Sequence, residues 1–255
     1  MIQAEHVGMG VVICRNVLEV DPDFFAKYCG WLTGESEQTF KFEKDHAVNQ
    51  TGFKFSLEDI GMAPQRFLET RGASRATEVP QEYLDFVDSC EDALYRALVE
   101  YCTIFPDAAT TAWWRPKGHV AVYDAGQHIG PHCDDQVPFE WGESPPNQVS
   151  MHNSTSINLY LNNCGTDYTG GEINFPHADY AFTPEAGSVA IYPSSYVGRH
   201  EVYPVESGRR VAFLSMACYG VDTKNNETVG QEGARIWMPD LIADSQAGST
   251  EGRRS

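Results

Sequence analysis

Residues 199–210 read Arg-His-Glu-Val-Tyr-Pro-Val-Glu-Ser-Gly-Arg-Arg (RHEVYPVESGRR), and an apolar run over residues 211–217 (VAFLSMA) follows directly. Short runs of β-branched and aromatic residues, bounded by Gly, Pro or Ser, are typical of β-strands. We therefore expect one strand over residues 199–204, a turn at Glu206-Ser207-Gly208, and a second strand over residues 210–219.

The same pattern, short apolar runs bounded by turn residues, extends upstream to Ala112. The expected strands cover residues 112–114, 119–123, 155–161, 172–175, 180–183, 188–192, 199–204 and 210–219. About eight short strands with turn signals between them favour a sandwich, a barrel or a double-sheet jelly roll. Two helices are predicted to cover one outer face: one from the Asp21-Pro22 pair to about Leu32, and one over residues 80–104 with a buried apolar stripe.

Composition narrows the class of protein. The 255 residues carry 36 acidic against 18 basic side chains, a net charge of −18, which repels phosphate backbones and anionic membrane surfaces. We expect neither a nucleic-acid partner nor a membrane span. The seven cysteines are scattered and form no CxxC pair, which favours a reducing compartment, and we expect a cytoplasmic protein. The sequence does not indicate the oligomeric state.

Three regions are expected along the chain. Residues 1–111 would support the domain, residues 112–220 would form its strand-rich core, and residues 221–255 would be a C-terminal extension. From residue 231 onward the extension has too little apolar surface to order itself, and we expect a mobile tail. The long connection over residues 136–153 carries Phe139 and Trp141 and is either a substrate lid or a loop packed on the sheet.

A metal site is indicated by residues 130–136, GPHCDDQ. On a strand, side chains alternate between the two faces, so His132 and Asp134 share one face while Asp135 points away. Such a His-x-Asp pair alone is weak evidence for a metal site. His200 can lie beside it in a double-sheet fold, and two imidazoles with one carboxylate form the facial triad of non-haem Fe(II) oxygenases. An Arg after the 206–208 turn would then be placed to bind a carboxylate.

Residues 113–219 resemble the catalytic core of the 2-oxoglutarate and Fe(II)-dependent dioxygenases, and most closely the prolyl 4-hydroxylase-like family. The resemblance is carried by six motifs in a specific order and spacing: YDAGQ at 123–127, PHCD at 131–134, INLYLN at 157–162, GGEINFP at 170–176, PEAGS at 184–188, and HEVYPV with Gly208 and Arg210. It implies a mainly β fold with flanking helices, the cupin-like double-stranded β-helix or jelly roll.

The resemblance also implies roles for individual residues. His132, Asp134 and His200 would bind Fe(II), and Arg210, not Arg209, would bind the distal carboxylate of 2-oxoglutarate. Three further residues would line the co-substrate pocket: Tyr123, Tyr160 and Ser156. Where many prolyl hydroxylases have tyrosine and tryptophan beside the substrate, this sequence has Ile129 and Met216.

The implied activity is hydroxylation of an amino-acid side chain, with peptidyl proline as the first candidate and succinate and CO₂ as co-products. The carboxylate at Asp134 favours hydroxylation, because halogenating relatives lack that ligand. Fe(II), 2-oxoglutarate and O₂ would be required, with ascorbate as a further candidate. Ile129 and Met216 leave open a second hypothesis, a small-molecule or free amino-acid hydroxylase. A third hypothesis is a metal-free jelly-roll binding protein.

Overall fold

The computed structural model describes residues 1–34, 40–41, 61–62, 80–112, 114–115, 119–134, 153–218, 235–236 and 238–251. Four helices lie in these ranges: α1 Pro22–Gly34, α2 Gln81–Ile104, α3 Pro106–Ala109 and α4 Met238–Glu251. A single 3₁₀ turn covers Tyr196–Gly198. None of the described helices is both long and apolar enough to cross a bilayer.

The strands dominate the molecule. They are β1 Gln3–Gly8, β2 Val11–Arg15, β3 Phe40–Lys41, β4 Gly61–Met62, β5 Trp114–Arg115, β6 His119–Asp124, β7 Ile129–His132, β8 Asn153–Tyr160, β9 Tyr168–Gly170, β10 Ile173–Phe175, β11 Tyr180–Phe182, β12 Val189–Pro193, β13 His200–Val202, β14 Val205–Cys218 and β15 Arg235–Ile236.

Two antiparallel sheets form the jelly roll that the sequence predicts. The major sheet has the order β1-β2-β12-β8-β14-β6-β4-β3, and the minor sheet has the order β11-β10-β13-β7. The N-terminal hairpin extends the major sheet, because Val12 in β2 pairs with Ile191 in β12. The predicted fold class is confirmed.

The period of two along the central strands separates a helix-facing core from the space between the sheets. Ile157, Leu159, Val189, Ile191, Val211 and Phe213 pack in one buried cluster with residues of α1, α2 and α4. Their neighbours Tyr160, Ala190, Tyr192 and Ala212 belong to a second cluster with Phe175 and Phe182 of the minor sheet. The side chains of this second cluster therefore line the interior of the jelly roll.

The predicted helices are confirmed. Asp21 caps α1, since its Oδ1 accepts the backbone N–H of Phe24 at 2.7 Å, and Pro22 is the first residue of that helix. In α2, the stripe predicted to be apolar includes Val87, Leu94 and Leu98, all buried against the major sheet. The helices lie on one outer face, as expected.

Two expectations were wrong. The turn predicted at residues 206–208 lies inside β14, because the segment pairs with β9 through a bulge, with Gly208 opposite Tyr168. Tyr203 and Pro204 separate β13 from β14. The tail expected to be mobile contains α4, whose Leu241 is fully buried in the helix-facing core and whose Asp244 accepts a hydrogen bond from the Tyr95 hydroxyl at 2.6 Å. Packing on α2 supplies the order that the composition alone does not.

Candidate active site

His132 and His200 end up side by side because the strands that carry them are neighbours. β7 and β13 pair antiparallel in the minor sheet, and His200 lies directly opposite His132. The centroids of the two imidazole rings are 4.2 Å apart, and both residues are buried. The expected position of His200 beside the His132 strand is confirmed.

Asp134 joins the pair from just beyond the end of β7. Its backbone N–H donates to the Ser194 carbonyl at 3.0 Å, and its own carbonyl accepts the Asn153 side-chain amide at 2.6 Å. These bonds hold the carboxylate so that Oδ1 is 3.3 Å from His132 Nε2 and Oδ2 is 3.7 Å from His200 Nε2. The ligand atoms of the three residues all lie within 4.8 Å of one another.

Each histidine is anchored through the nitrogen that faces away from the cluster. His132 Nδ1 is 2.8 Å from the Gly130 carbonyl, and His200 Nδ1 is 3.1 Å from the Gly198 carbonyl. A carbonyl only accepts, so each Nδ1 carries a proton, and in the neutral form of each ring Nε2 presents a lone pair to the centre of the cluster. This is the arrangement in which backbone carbonyls orient metal-binding imidazoles.

Burial and mutual charge shift the pKa values of all three groups. Burial, reinforced by the nearby His132, lowers the pKa of His200 to about 4. Burial also acts to lower the pKa of His132, but the hydrogen bond and charge of Asp134 outweigh it and leave that pKa raised. Burial acts to raise the pKa of Asp134, yet the two histidines and Ser156 hold it well below its usual range. The carboxylate is ionised and His200 is neutral at neutral pH, as metal binding requires.

Hydroxyl groups of the major sheet contact the outer oxygen of Asp134. Ser156 Oγ donates to Oδ2 at 2.7 Å and lies 2.8 Å from Ser194 Oγ. The Tyr192 hydroxyl is 3.3 Å from the same Oδ2. The sequence placed Ser156 in the co-substrate pocket; in the structure its contacts are with the candidate metal ligand.

Arg210 is fully enclosed on the same interior face. It lies opposite Tyr123 in the β6–β14 ladder, and only 2% of its surface is exposed. Its guanidinium carbon is 4.8 Å from the centroid of the Tyr123 ring and 5.3 Å from that of Tyr160. Among the described residues, Arg210 Nε and the hydroxyls of Tyr160 and Tyr168 are buried without a hydrogen-bond partner.

Gly171 leaves the space that the Arg210 side chain occupies. The backbone at Gly171 has φ +70°, and a Cβ there would lie 3.0 Å from Arg210 Cδ and 3.3 Å from Tyr168 Cε2. A side chain at this position would be strained by φ and would press on both groups. Arg210 and Tyr168 therefore depend on one glycine for their positions.

The guanidinium and the His-Asp-His cluster act on each other electrostatically. Arg210 contributes to the low pKa of His200. Burial raises the pKa of Tyr123, opposed by Arg210 and reinforced by Asp134, and burial raises the pKa of Tyr160 to about 12. A buried cation with unpaired donors costs free energy unless an anion completes it. The residue types present thus fit Fe(II) at the three candidate ligands and an anionic group at Arg210.

Two aromatic residues of the site were missed by sequence reasoning. Tyr192 was expected only as part of the strand over residues 188–192, and Tyr168 was assigned to no strand. The alternation along β12 directs Tyr192 inward, and the pairing of β9 with β14 does the same for Tyr168. Ile129 packs with Tyr123 and Tyr168 in a third buried cluster, and Met216 Sδ is 2.9 Å from Asn153 Nδ2. The 136–153 connection, including Trp141 and His152, lies outside the described residues apart from Asn153.

A curled double sheet carries this cluster, whose residue types suit a metal ion and a carboxylate. Residues 118–216 match the family model of the 2OG-Fe(II) oxygenase superfamily. Members of that superfamily are oxidoreductases that use Fe(II), 2-oxoglutarate and O₂. No curated protein matches the chain.

Several solved structures are similar to the chain at low identity. A Pseudomonas putida prolyl-4-hydroxylase is 16% identical, with 83% of this chain and 94% of that chain covered and a TM-score of 0.46. A Trichoplax adhaerens prolyl hydroxylase, solved with a hypoxia inducible factor peptide fragment, is 16% identical, with 87% and 88% covered and a TM-score of 0.49. A viral collagen prolyl hydroxylase from Paramecium Bursaria Chlorella virus-1 is 18% identical, with 56% and 78% covered and a TM-score of 0.42.

Proposed function

We propose that this protein hydroxylates an amino-acid side chain, with peptidyl proline as the first candidate. His132, Asp134 and His200 would bind Fe(II), and Arg210 would bind the distal carboxylate of 2-oxoglutarate. One observation carries the proposal: a fully buried arginine with an unpaired Nε lies on the same interior face as a buried His-Asp-His cluster. Neither feature has a use in a sheet that only packs, because both cost free energy until their ligands are bound.

The residues around the cluster divide the work. When bound, the iron would activate O₂ at the expense of 2-oxoglutarate, which leaves as succinate and CO₂ while substrate is hydroxylated. Arg210 would hold the co-substrate through parallel hydrogen bonds to one carboxylate, and the hydroxyls of Tyr160 and Tyr168 would donate to the same dicarboxylate. Tyr123 would close the other side of the guanidinium and exclude water from it.

The substrate class is argued from the sequence motifs, the net charge and two residues near the site. The HEVYPV segment with Gly208 and Arg210 is similar to the prolyl 4-hydroxylase-like family, and the net charge of −18 disfavours a nucleic-acid substrate. The second candidate, a free amino acid or other small molecule, is favoured by Ile129 and Met216. Both differ from the aromatic residues that border the substrate in many prolyl hydroxylases.

Two adjacent arginines supply a matched test of co-substrate binding. Arg210 is buried, whereas Arg209 is partly exposed and forms an ion pair with Asp124 at 2.6 Å. Loss of two charge-assisted hydrogen bonds costs about 3 kcal/mol or more, so Arg210→Met should raise the KM for 2-oxoglutarate by about 100-fold. Arg209→Met should leave that KM within about twofold of the wild type. Equal effects of the two substitutions would contradict the assignment.

A turnover screen distinguishes the candidate substrates. Wild-type protein would be incubated with Fe(II), 2-oxoglutarate and ascorbate, together with either proline-rich peptides or free amino acids. A mass gain of one oxygen on a peptide, matched by succinate, supports the peptidyl substrate; a gain only on a free amino acid supports the alternative. A protein purified anaerobically that neither binds iron nor consumes 2-oxoglutarate would be the binding protein of the third hypothesis.

We also propose a reducing, cytoplasmic environment and three chain regions, 1–111, 112–220 and 221–255, for this enzyme. The cysteines support the first: Cys14, Cys90 and Cys102 are buried and free, and burial raises the pKa of Cys14 and of Cys102 to about 12. Thiols of this kind are inert structural residues. A role for the 136–153 connection as a substrate lid stays a prediction.

A further inference from the structure

Tyr192 is a fully buried phenol whose oxygen lies among three site residues. Its hydroxyl is 3.0 Å from His200 Nε2 and 3.3 Å from Asp134 Oδ2, and it accepts the side-chain amide of Asn158 at 2.8 Å. Its ring also packs against the rings of His200 and Phe175, with centroids 4.6 Å and 4.9 Å away. These two ring contacts and the hydrogen bonds of the hydroxyl hold the side chain in place.

The hydrogen-bond roles at this hydroxyl follow from its one proton. Asn158 Nδ2 can only donate, so it takes a lone pair of the phenol oxygen. The phenol proton is then left for either His200 Nε2 or Asp134 Oδ2, both of which are acceptors, because His200 carries its proton on Nδ1 toward the Gly198 carbonyl. The Tyr192 hydroxyl thus has one proton for two acceptors, His200 Nε2 and Asp134 Oδ2. A metal ion bound at Nε2 would leave only Oδ2 as an acceptor.

We propose that Tyr192 is a positioning residue for the metal site, an inference that rests on the proposed function. Without metal, its O–H satisfies the His200 Nε2 lone pair and holds the imidazole in place. With metal on that nitrogen, the O–H turns to Asp134 Oδ2 and, together with Ser156, fixes this oxygen so that Oδ1 points to the ion. The hydrogen bond from Asn158 holds the phenol oxygen in the same position in the metal-free and the metal-bound site.

The geometry separates the two carboxylate oxygens of Asp134. Oδ2 has the hydroxyls of Ser156 and Tyr192 within reach, whereas Oδ1 faces His132 Nε2. Partners of this kind behind a metal ligand typically contribute 10- to 100-fold to metal affinity. Tyr192 should therefore act on the affinity and coordination of the ion and not on the binding of 2-oxoglutarate.

The test compares Tyr192→Phe with two reference variants of the full chain. Tyr101→Phe removes another buried tyrosine hydroxyl, one that donates to the Gly10 carbonyl, outside the site. His132→Ala removes a ligand. Anaerobic titration with Fe(II), and with Co(II) to record the visible coordination spectrum, should give a dissociation constant about tenfold higher for Tyr192→Phe, with an altered Co(II) spectrum. Tyr101→Phe should match the wild type in both.

The outcomes distinguish this inference from the proposed function. If wild-type protein binds no Fe(II), or if His132→Ala binds it as well as the wild type, the proposed function fails. If the wild type binds Fe(II), His132→Ala does not, and Tyr192→Phe matches the wild type in affinity and Co(II) spectrum, only the role of Tyr192 is overturned. If Tyr192→Phe does not fold, Asn158→Leu, which removes the amide that orients the phenol, should show a smaller loss of affinity in the same direction; unchanged affinity would overturn the inference.

Discussion

His132 and His200 face each other directly across the β7–β13 ladder, with their ring centroids 4.2 Å apart. Each imidazole is tied by Nδ1 to the carbonyl two residues before it. Asp134 closes the triangle from just beyond the strand. Two segments separated by 67 intervening residues thus meet because the jelly roll pairs them, and the candidate ligands sit on backbone that the sheet already fixes.

The pH dependence of metal binding should report one displaced proton. The pKa of His132 is raised, so this imidazole is protonated in metal-free protein below that pKa, while His200, with a pKa of about 4, stays neutral. Metal needs both rings neutral, so affinity for Fe(II) should fall as pH drops through the pKa of His132, by about tenfold per pH unit. Anaerobic titrations between pH 8 and pH 5.5 measure this slope. A flat profile, or a loss of about 100-fold per unit, would contradict these protonation states.

The Tyr168 hydroxyl should contribute to co-substrate affinity. It is buried and unpaired beside Arg210 among the described residues, and a hydrogen bond from a neutral hydroxyl to an ionised carboxylate contributes about 1.5 kcal/mol. Tyr168→Phe should raise the KM for 2-oxoglutarate by about tenfold and leave the Fe(II) dissociation constant unchanged. Steady-state kinetics at saturating Fe(II) measure the effect. An unchanged KM would show that this hydroxyl does not contact the co-substrate.

Gly171 should be far less replaceable than Gly126. Both have positive φ, +70° and +90°, but a Cβ at Gly171 would meet Arg210 and Val205, whereas nothing lies within 4 Å of one at Gly126. Either Gly→Ala change carries the backbone cost, about 1 kcal/mol. Gly171→Ala should also displace Arg210 and raise the KM for 2-oxoglutarate. Thermal unfolding and kinetics of the two variants provide the comparison. Equal KM values for 2-oxoglutarate would argue against a role of Gly171 in positioning Arg210.

Helix α4 should stabilise the fold through Leu241. This side chain is fully buried in the helix-facing core, and replacing a buried Leu by Ala costs about 2–5 kcal/mol. Leu241→Ala should lower the midpoint of chemical denaturation accordingly, while Ala243→Ser, at an exposed position of the same helix, should change it little. A Leu241→Ala variant as stable as the wild type would mean that α4 does not pack on α2 in solution.

Local patterns predicted most of the framework because they reflect forces that act within a few residues. The alternation of residues 188–192 and 210–217 gives strands with one helix-facing and one interior face, and Asp21-Pro22 begins α1 as expected. The prediction of a turn at residues 206–208 was wrong because this segment forms a bulge in the long strand β14. The pairing of β14 with β9 decides this feature. The order of α4 was not predicted because it depends on packing with distant residues: Leu241 and Ile242 pack on the helix-facing core, and Asp244 accepts a hydrogen bond from the Tyr95 hydroxyl.

The candidate site was predictable as far as its motifs extend. His132, Asp134, His200 and Arg210 were named from spacing and resemblance, and the sheets bring the first three together and enclose the fourth. Tyr192 and Tyr168 carry no spacing signal of their own. Their inward direction depends on strand pairing, and their importance depends on hydrogen-bond partners, or the lack of them, that only coordinates show.

An iron site formed by His132, Asp134 and His200 can be tested by measuring succinate formation from 2-oxoglutarate. Wild-type protein with Fe(II), O₂ and 2-oxoglutarate should form succinate, and His177→Ala, at an exposed histidine in the turn between β10 and β11, should match it. His132→Ala should form none above the protein-free background. Succinate formation that survives His132→Ala at the wild-type rate would contradict an iron site built from His132, Asp134 and His200.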